Sequence, residues 1–118
     1  MSRVQSILNH KKERKEKLEA ALSSIKNQLM NFGAIKIILF GSLSTGKIDV
    51  FSDIDLFVLM PSEKSGKEWM SYIYANIDRD IACDIIVYNE EEFEDNLPYS
   101  SFLSEILTTG EVIYETKL

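Results

Sequence analysis

Three aspartates stand where carboxylates can work together. Asp53 and Asp55 are two residues apart at the head of an apolar run that continues Leu56-Phe57-Val58. Side chains alternate along a strand, so both carboxylates leave from one face and Ile54, Leu56 and Val58 from the other. Like charges that close repel each other, and a fold tolerates them best with a cation between them. Hard carboxylate oxygens suit Mg²⁺ or Mn²⁺. The third acid, Asp84, interrupts a second apolar run, Ile81-Ala82-Cys83-Asp84-Ile85-Ile86-Val87. A charge in that setting is costly unless it is paired or metal-bound. If the two strands are neighbours, the three acids converge on one or two metals. The plainer alternatives are a solvated acidic turn for Asp53 and Asp55, and an edge acid facing water for Asp84.

Two metals about 4 Å apart suit in-line displacement at phosphorus. One lowers the pKa of an attacking hydroxyl, and the other bridges a triphosphate and steadies the leaving pyrophosphate. Gly41-Ser42 precedes Asp53 by a short loop and fits the same chemistry. Glycine lets a phosphate approach the backbone, and the serine hydroxyl with nearby N–H groups binds its oxygens. Asp49 reads as loop surface, Cys83 as a small buried residue with no nucleophilic task, and His10 as exposed and inert. Trp69, Tyr72 and Tyr74 read as core and helix surface.

The elements that must carry these residues follow from periodicity. Residues 3–31 read as one long helix, with Val4, Ile7, Leu8, Leu18, Leu22, Ile25 and Leu29 at helical steps. Its stretch from Lys11 to Lys17 is wholly charged and belongs in solvent. Gly33 stops it. Residues 35–40 form a strand buried on both faces, and 41–52 a loop. Residues 53–60 form a second strand closed by Pro61. A helix over 67–77 sets Trp69, Met70, Ile73 and Ile77 on one side. Residues 80–88 form a third strand, and Asn89 caps a short acidic helix that Pro98 interrupts. A last helix over 99–109 ends at Gly110, and 111–115 is a final strand. This order predicts an α/β (α+β) fold: a small mixed β-sheet with flanking helices.

A chain of 118 residues suits one compact domain, and no repeat or low-complexity tract divides it. The reading is a single unit over 1–118, with a leading helix over 1–32 and a catalytic core over 35–118. No apolar run approaches the roughly 20 residues that cross a bilayer. The charged start does not read as a signal segment, and a lone cysteine makes no internal disulfide. A cytoplasmic location follows as the expectation. Net charge is −6 but unevenly spread. Residues 1–36 hold eight Lys/Arg and three Asp/Glu, whereas 37–118 hold five and sixteen. So acidic a body repels polyanions, which argues against general nucleic-acid binding and makes divalent metal the means of admitting a phosphate substrate. The charged run from Lys11 to Lys17 is a solvated helix face or, as the sharper reading, a docking surface for an acidic partner or for RNA.

Gly41-Ser42, Gly46 and Ser52-Asp53-Ile54-Asp55-Leu56 resemble the Gly-Ser…Asp-x-Asp signature of the polymerase-beta-like nucleotidyltransferase superfamily. The outline of the whole chain is similar to that of its minimal nucleotidyltransferases, including the acidic turn Glu91-Glu92-Phe93-Glu94 and the ending through Gly110-Glu111-Val112-Ile113-Tyr114. The resemblance implies the polymerase-beta-like fold, with Asp53, Asp55 and Asp84 as the metal carboxylates and Gly41, Ser42, Asp53 and Asp55 at the nucleotide. It implies transfer of a nucleoside monophosphate, usually AMP from ATP, to a hydroxyl. It also implies a partner: many minimal nucleotidyltransferases pair with HEPN-domain ribonuclease toxins, and some neutralise the toxin by adenylylating one of its tyrosines. The loop departs from the pattern at Thr45, where relatives often carry Arg; Lys47 lies close by.

Size favours a protein acceptor, since 118 residues leave no separate domain to recognise a small molecule. A homo- or hetero-oligomer would complete the cleft. Two rivals stand beside this reading. One is a non-catalytic antitoxin or binding subunit with a degenerate nucleotide site. The other is a small-molecule nucleotidyltransferase acting within a complex.

Overall fold

The computed structural model describes residues 3–41, 54–79 and 81–116, with side-chain surroundings from residue 12 onward except at Arg14. Helix α1 (Arg3–Phe32) leads into strand β1 (Lys36–Phe40). After the 42–53 segment come strand β2 (Ile54–Met60), helix α2 (Gly66–Asn76) and strand β3 (Cys83–Asn89). Helices α3 (Glu90–Asn96) and α4 (Ser101–Thr109) and strand β4 (Glu111–Glu115) follow. The strands form one sheet in the order β3-β2-β1-β4. β1 runs antiparallel to both β2 and β4, while β2 and β3 are parallel, joined across α2. A mixed four-stranded sheet with flanking helices is the predicted fold class.

Local chemistry explains the boundaries. Gly33 takes φ +105. Its N–H donates to the Met30 carbonyl, and the Ala34 N–H donates to the Leu29 carbonyl, so two of the last open carbonyls of α1 are satisfied. Ser65 caps α2 by accepting from the Glu68 N–H. Asn89 caps α3 in a reciprocal box: its side chain accepts from the Glu92 N–H at 2.7 Å, and the Glu92 carboxylate accepts from the Asn89 N–H at 2.9 Å. Three glutamates in the first turn of α3 suit the positive end of the helix dipole. Ser100 caps α4 through the Leu103 N–H, so this helix starts after Tyr99.

Each face of the sheet has its own core. Ile37, Leu39, Ile54, Leu56, Val58, Met60, Cys83, Ile85 and Val87 pack beneath α1 and α2 through Leu18, Ile25, Leu29, Trp69 and Ile73. On the other face Ile38 and Phe57 pack against Leu103 and Ile106, with Phe93 and Leu97 alongside. β1 is thus buried on both faces, as its apolar sequence predicts. Lys12, Glu13, Lys15, Glu16 and Lys17 are exposed, as their charge predicts.

Three expectations shift. Met70 is 37% exposed and not part of the core. It lies one position, about 100°, round the helix from Trp69, so it leaves the face that Trp69 and Ile73 share. β3 begins at Cys83 and not at 80. Tyr99 precedes the cap of α4 and is 89% exposed. His10, Thr45, Gly46, Lys47 and Asp49 lie outside the described side chains.

Asn89 is the only polar residue among those buried, at 7% exposure, within the described part of the chain. Besides capping α3 it donates to the Lys64 carbonyl at 3.0 Å. Asn89→Ala removes both bonds and leaves that carbonyl without its partner. The variant is predicted to lose about 2 kcal/mol of stability, read as a lower urea midpoint with an unchanged slope.

Candidate active site

The site is built where β1 ends and β2 and β3 begin. Alternation along β2 sends Ile54, Leu56 and Val58 into the core beneath α1 and Phe57 into the opposite core, so Asp55 shares the face of Phe57. In β3, Cys83 and Ile85 point to the first core and Ile86 to the second, which puts Asp84 on the same face as Asp55. The parallel register makes the two aspartates direct partners, Asp55 opposite Asp84. Neighbouring strands are about 4.8 Å apart, close enough for two carboxylates to bind one cation or bracket two. Antiparallel pairing sets Phe40 of β1 opposite Asp55 on the other side.

The second face of the sheet therefore reads in rows. Phe40, Asp55 and Asp84 form one row. Ile38, Phe57 and Ile86 form the next, which α3 and α4 cover through Phe93, Leu97, Leu103 and Ile106. The helices seal the apolar row, and the carboxylates sit at its open end. Asp55 is half-buried and Asp84 exposed. Phe102 of α4 reaches this margin, its ring edge-on to Phe40 with centroids 6.1 Å apart. Sequence reasoning missed Phe40 and Phe102, because a phenylalanine at a strand end or on a short helix carries no sign of what the sheet will set beside it.

Gly41 directly follows the row. Its φ is +79, a region that favours glycine. A Cβ added there would lie 2.5 Å from Asp55 Oδ2. The missing side chain thus makes room for the Asp55 carboxylate, one of the predicted metal ligands. Ser42 and Asp53, the other predicted site residues, lie outside the described residues. The structure therefore brings together Gly41, Asp55 and Asp84.

These residues fit a divalent metal by donor chemistry. Two hard-oxygen side chains leave from register partners on one face, the donor type that a hard divalent cation prefers. No group of three or more His, Cys, Asp and Glu side chains suited to a metal occurs among the described residues; the predicted third donor, Asp53, is not one of them. Among the described residues, no helix is long and apolar enough to cross a membrane.

Comparison with known proteins gives a consistent answer. No curated protein matches the chain. A solved structure of a candidate nucleotidyltransferase from Sulfolobus solfataricus is similar to this chain, with a TM-score of 0.58 and 16% sequence identity. The match covers 86% of this chain and 86% of that one, and at that identity it speaks for the fold. The family model described as polymerase beta, nucleotidyltransferase, matches residues 23–117, from within α1 to two residues past β4. With most of its length matched, the chain belongs to the polymerase beta nucleotidyltransferase family.

Proposed function

We propose that this protein is a metal-dependent nucleotidyltransferase that moves AMP from ATP to a hydroxyl, the acceptor being a tyrosine of a HEPN-type toxin partner in the cytoplasm. The observation that carries the chemistry is the register of Asp55 against Asp84, at the open end of a face in a chain of this family. Asp53, Asp55 and Asp84 would hold the divalent metal, and Asp84 would help to activate the acceptor hydroxyl. Gly41 and Ser42 accommodate the phosphates. A bound Mg²⁺ or Mn²⁺ would neutralise charge at the triphosphate and lower the pKa of the acceptor hydroxyl. The acceptor oxygen forms a bond to the α-phosphorus, the bond from that phosphorus to the β-bridging oxygen breaks, and pyrophosphate leaves. The acceptor's proton passes to the carboxylate row. Tyr99, Phe102 and Leu107, exposed before and along α4, support a protein partner, since Phe102 touches Phe40 beside Asp55.

The test is incubation of the protein with Mg-ATP labelled at the α-phosphate and a co-expressed HEPN-type partner protein. Label is expected on a tyrosine of the partner, with one pyrophosphate released per label. Asp84→Ala is predicted to reduce the rate by on the order of 100-fold or more. Pyrophosphate release with no label on protein would move the acceptor to a small molecule. Partner inhibition that survives Asp84→Ala and Asp55→Ala would make the chain a binding subunit.

A further inference from the structure

Among the described residues Asp84 lies in an edge strand, because β3 has β2 as its neighbour and no other described strand beyond it. An edge strand leaves every second N–H and C=O without a ladder partner. Here the Ala82 carbonyl accepts from the Ile54 N–H, towards β2. By alternation the backbone groups of Cys83 and Ile85, on either side of Asp84, point outward. The Cys83 carbonyl and the Ile85 N–H are occupied by side chains from α2 and from its exit. The Arg79 Nη1 donates to the Cys83 carbonyl at 2.6 Å. The Ile85 N–H donates to the Tyr74 hydroxyl at 2.8 Å, and that hydroxyl faces the Ile85 carbonyl at 3.5 Å. The Arg79 guanidinium stacks over the Tyr74 ring, 4.7 Å from its centre. The two side chains thus form one unit, and it grips the strand immediately before and after Asp84.

We propose that Tyr74 and Arg79 are positioning residues that clamp the outer edge of β3 and so hold the Asp84 carboxylate in register with Asp55. The inference rests on the reading of Asp55 and Asp84 as a metal-binding pair. Neither residue touches the substrate. They hold this edge as a neighbouring strand would, and a half-site on an unclamped edge strand binds metal less well because its geometry must be ordered first. Tyr74 is 36% exposed and Arg79 is exposed, so their polar groups have water as an alternative. Their backbone bonds are therefore specific placements and not forced by burial.

The test uses the full chain with Mn²⁺ as the probe, in Tyr74→Phe, Arg79→Ala and the control Tyr72→Phe. Tyr72 sits on the same helix with its ring edge-on to Phe32 and Trp69, contacts that phenylalanine keeps. Two readouts are taken well below the melting temperature: Mn²⁺ affinity by electron paramagnetic resonance, and hydrogen exchange at the Ile85 amide. Tyr74→Phe is expected to speed exchange at Ile85 by roughly fivefold, the factor of one hydrogen bond of average net strength. Tyr74→Phe and Arg79→Ala are both expected to weaken Mn²⁺ binding about tenfold, with Arg79→Lys recovering part of the loss and Tyr72→Phe matching wild type. If wild type binds Mn²⁺ and both clamp variants bind it equally well, the clamp has no positioning role and the inference falls alone. Wild-type protein that binds no Mn²⁺ overturns the metal reading and this inference together.

Discussion

Asp55→Asn is expected to leave a folded protein that has lost nucleotidyl transfer by on the order of 1,000-fold. The fold survives because the contacts that order β2 come from Ile54, Leu56, Phe57 and Val58, all buried in the two cores. Asparagine has the same shape as aspartate and keeps one oxygen acceptor beside Gly41. What it loses is the charge, and with it the strong bond to a hard divalent cation. Removing one of two neighbouring carboxylates also relieves their mutual repulsion, so the thermal midpoint without metal is predicted to stay level or rise. Stability and activity thus move in opposite directions, which separates a functional carboxylate from a structural one. The measurement is a pair of thermal melts, with and without Mg²⁺, beside a labelled-transfer assay. A stabilising effect of Mg²⁺ should be present in wild type and absent in the variant.

Gly41→Ala is the second large effect, and its mechanism is steric. Alanine at φ +79 pays a conformational penalty of roughly 1 kcal/mol. Its Cβ would also fall 2.5 Å from Asp55 Oδ2. A side-chain tip can swing away at little energetic cost, so the protein should fold. The carboxylate that swings is the one the site needs, and metal-dependent nucleotide binding should fall at least tenfold. Gly33→Ala provides the control. Gly33 also has a positive φ, +105, but nothing lies within 4 Å of an added Cβ. It should cost about 1 kcal/mol of stability and leave binding untouched. Equal binding losses in the two variants would mean that the Gly41 effect is global and not local to Asp55.

Much of the architecture was legible because local chemistry dictated it. Gly33 ends α1, Asn89 caps α3 and Gly110 follows α4, each for a reason visible in a few neighbouring residues. Period-two alternation put Asp55 opposite in sense to Ile54 and Leu56. It could not say which strand lies beside β2, and so could only make convergence with Asp84 conditional on adjacency. Pairing is a tertiary choice, fixed here by α2 returning the chain to a parallel neighbour with Cys83 set beside Ile54. The same limit hid Tyr74 and Arg79. As residues of a helix and its exit they carry no signal, and their task exists because β3 lies at an edge. Met70 was misplaced for a simpler reason: an apolar residue next to Trp69 joins the hydrophobic count but not the buried face.

The central claim is that the aspartate row binds a nucleoside triphosphate through a divalent metal. Its most direct test is calorimetric titration of ATP into the purified protein with Mg²⁺ and again with chelator, beside Asp53→Ala/Asp55→Ala. Saturable binding is expected that needs Mg²⁺ and vanishes in the double variant while its melting profile stays cooperative. Binding that persists without metal, or in the double variant, or that is absent from well-folded wild type, would contradict it.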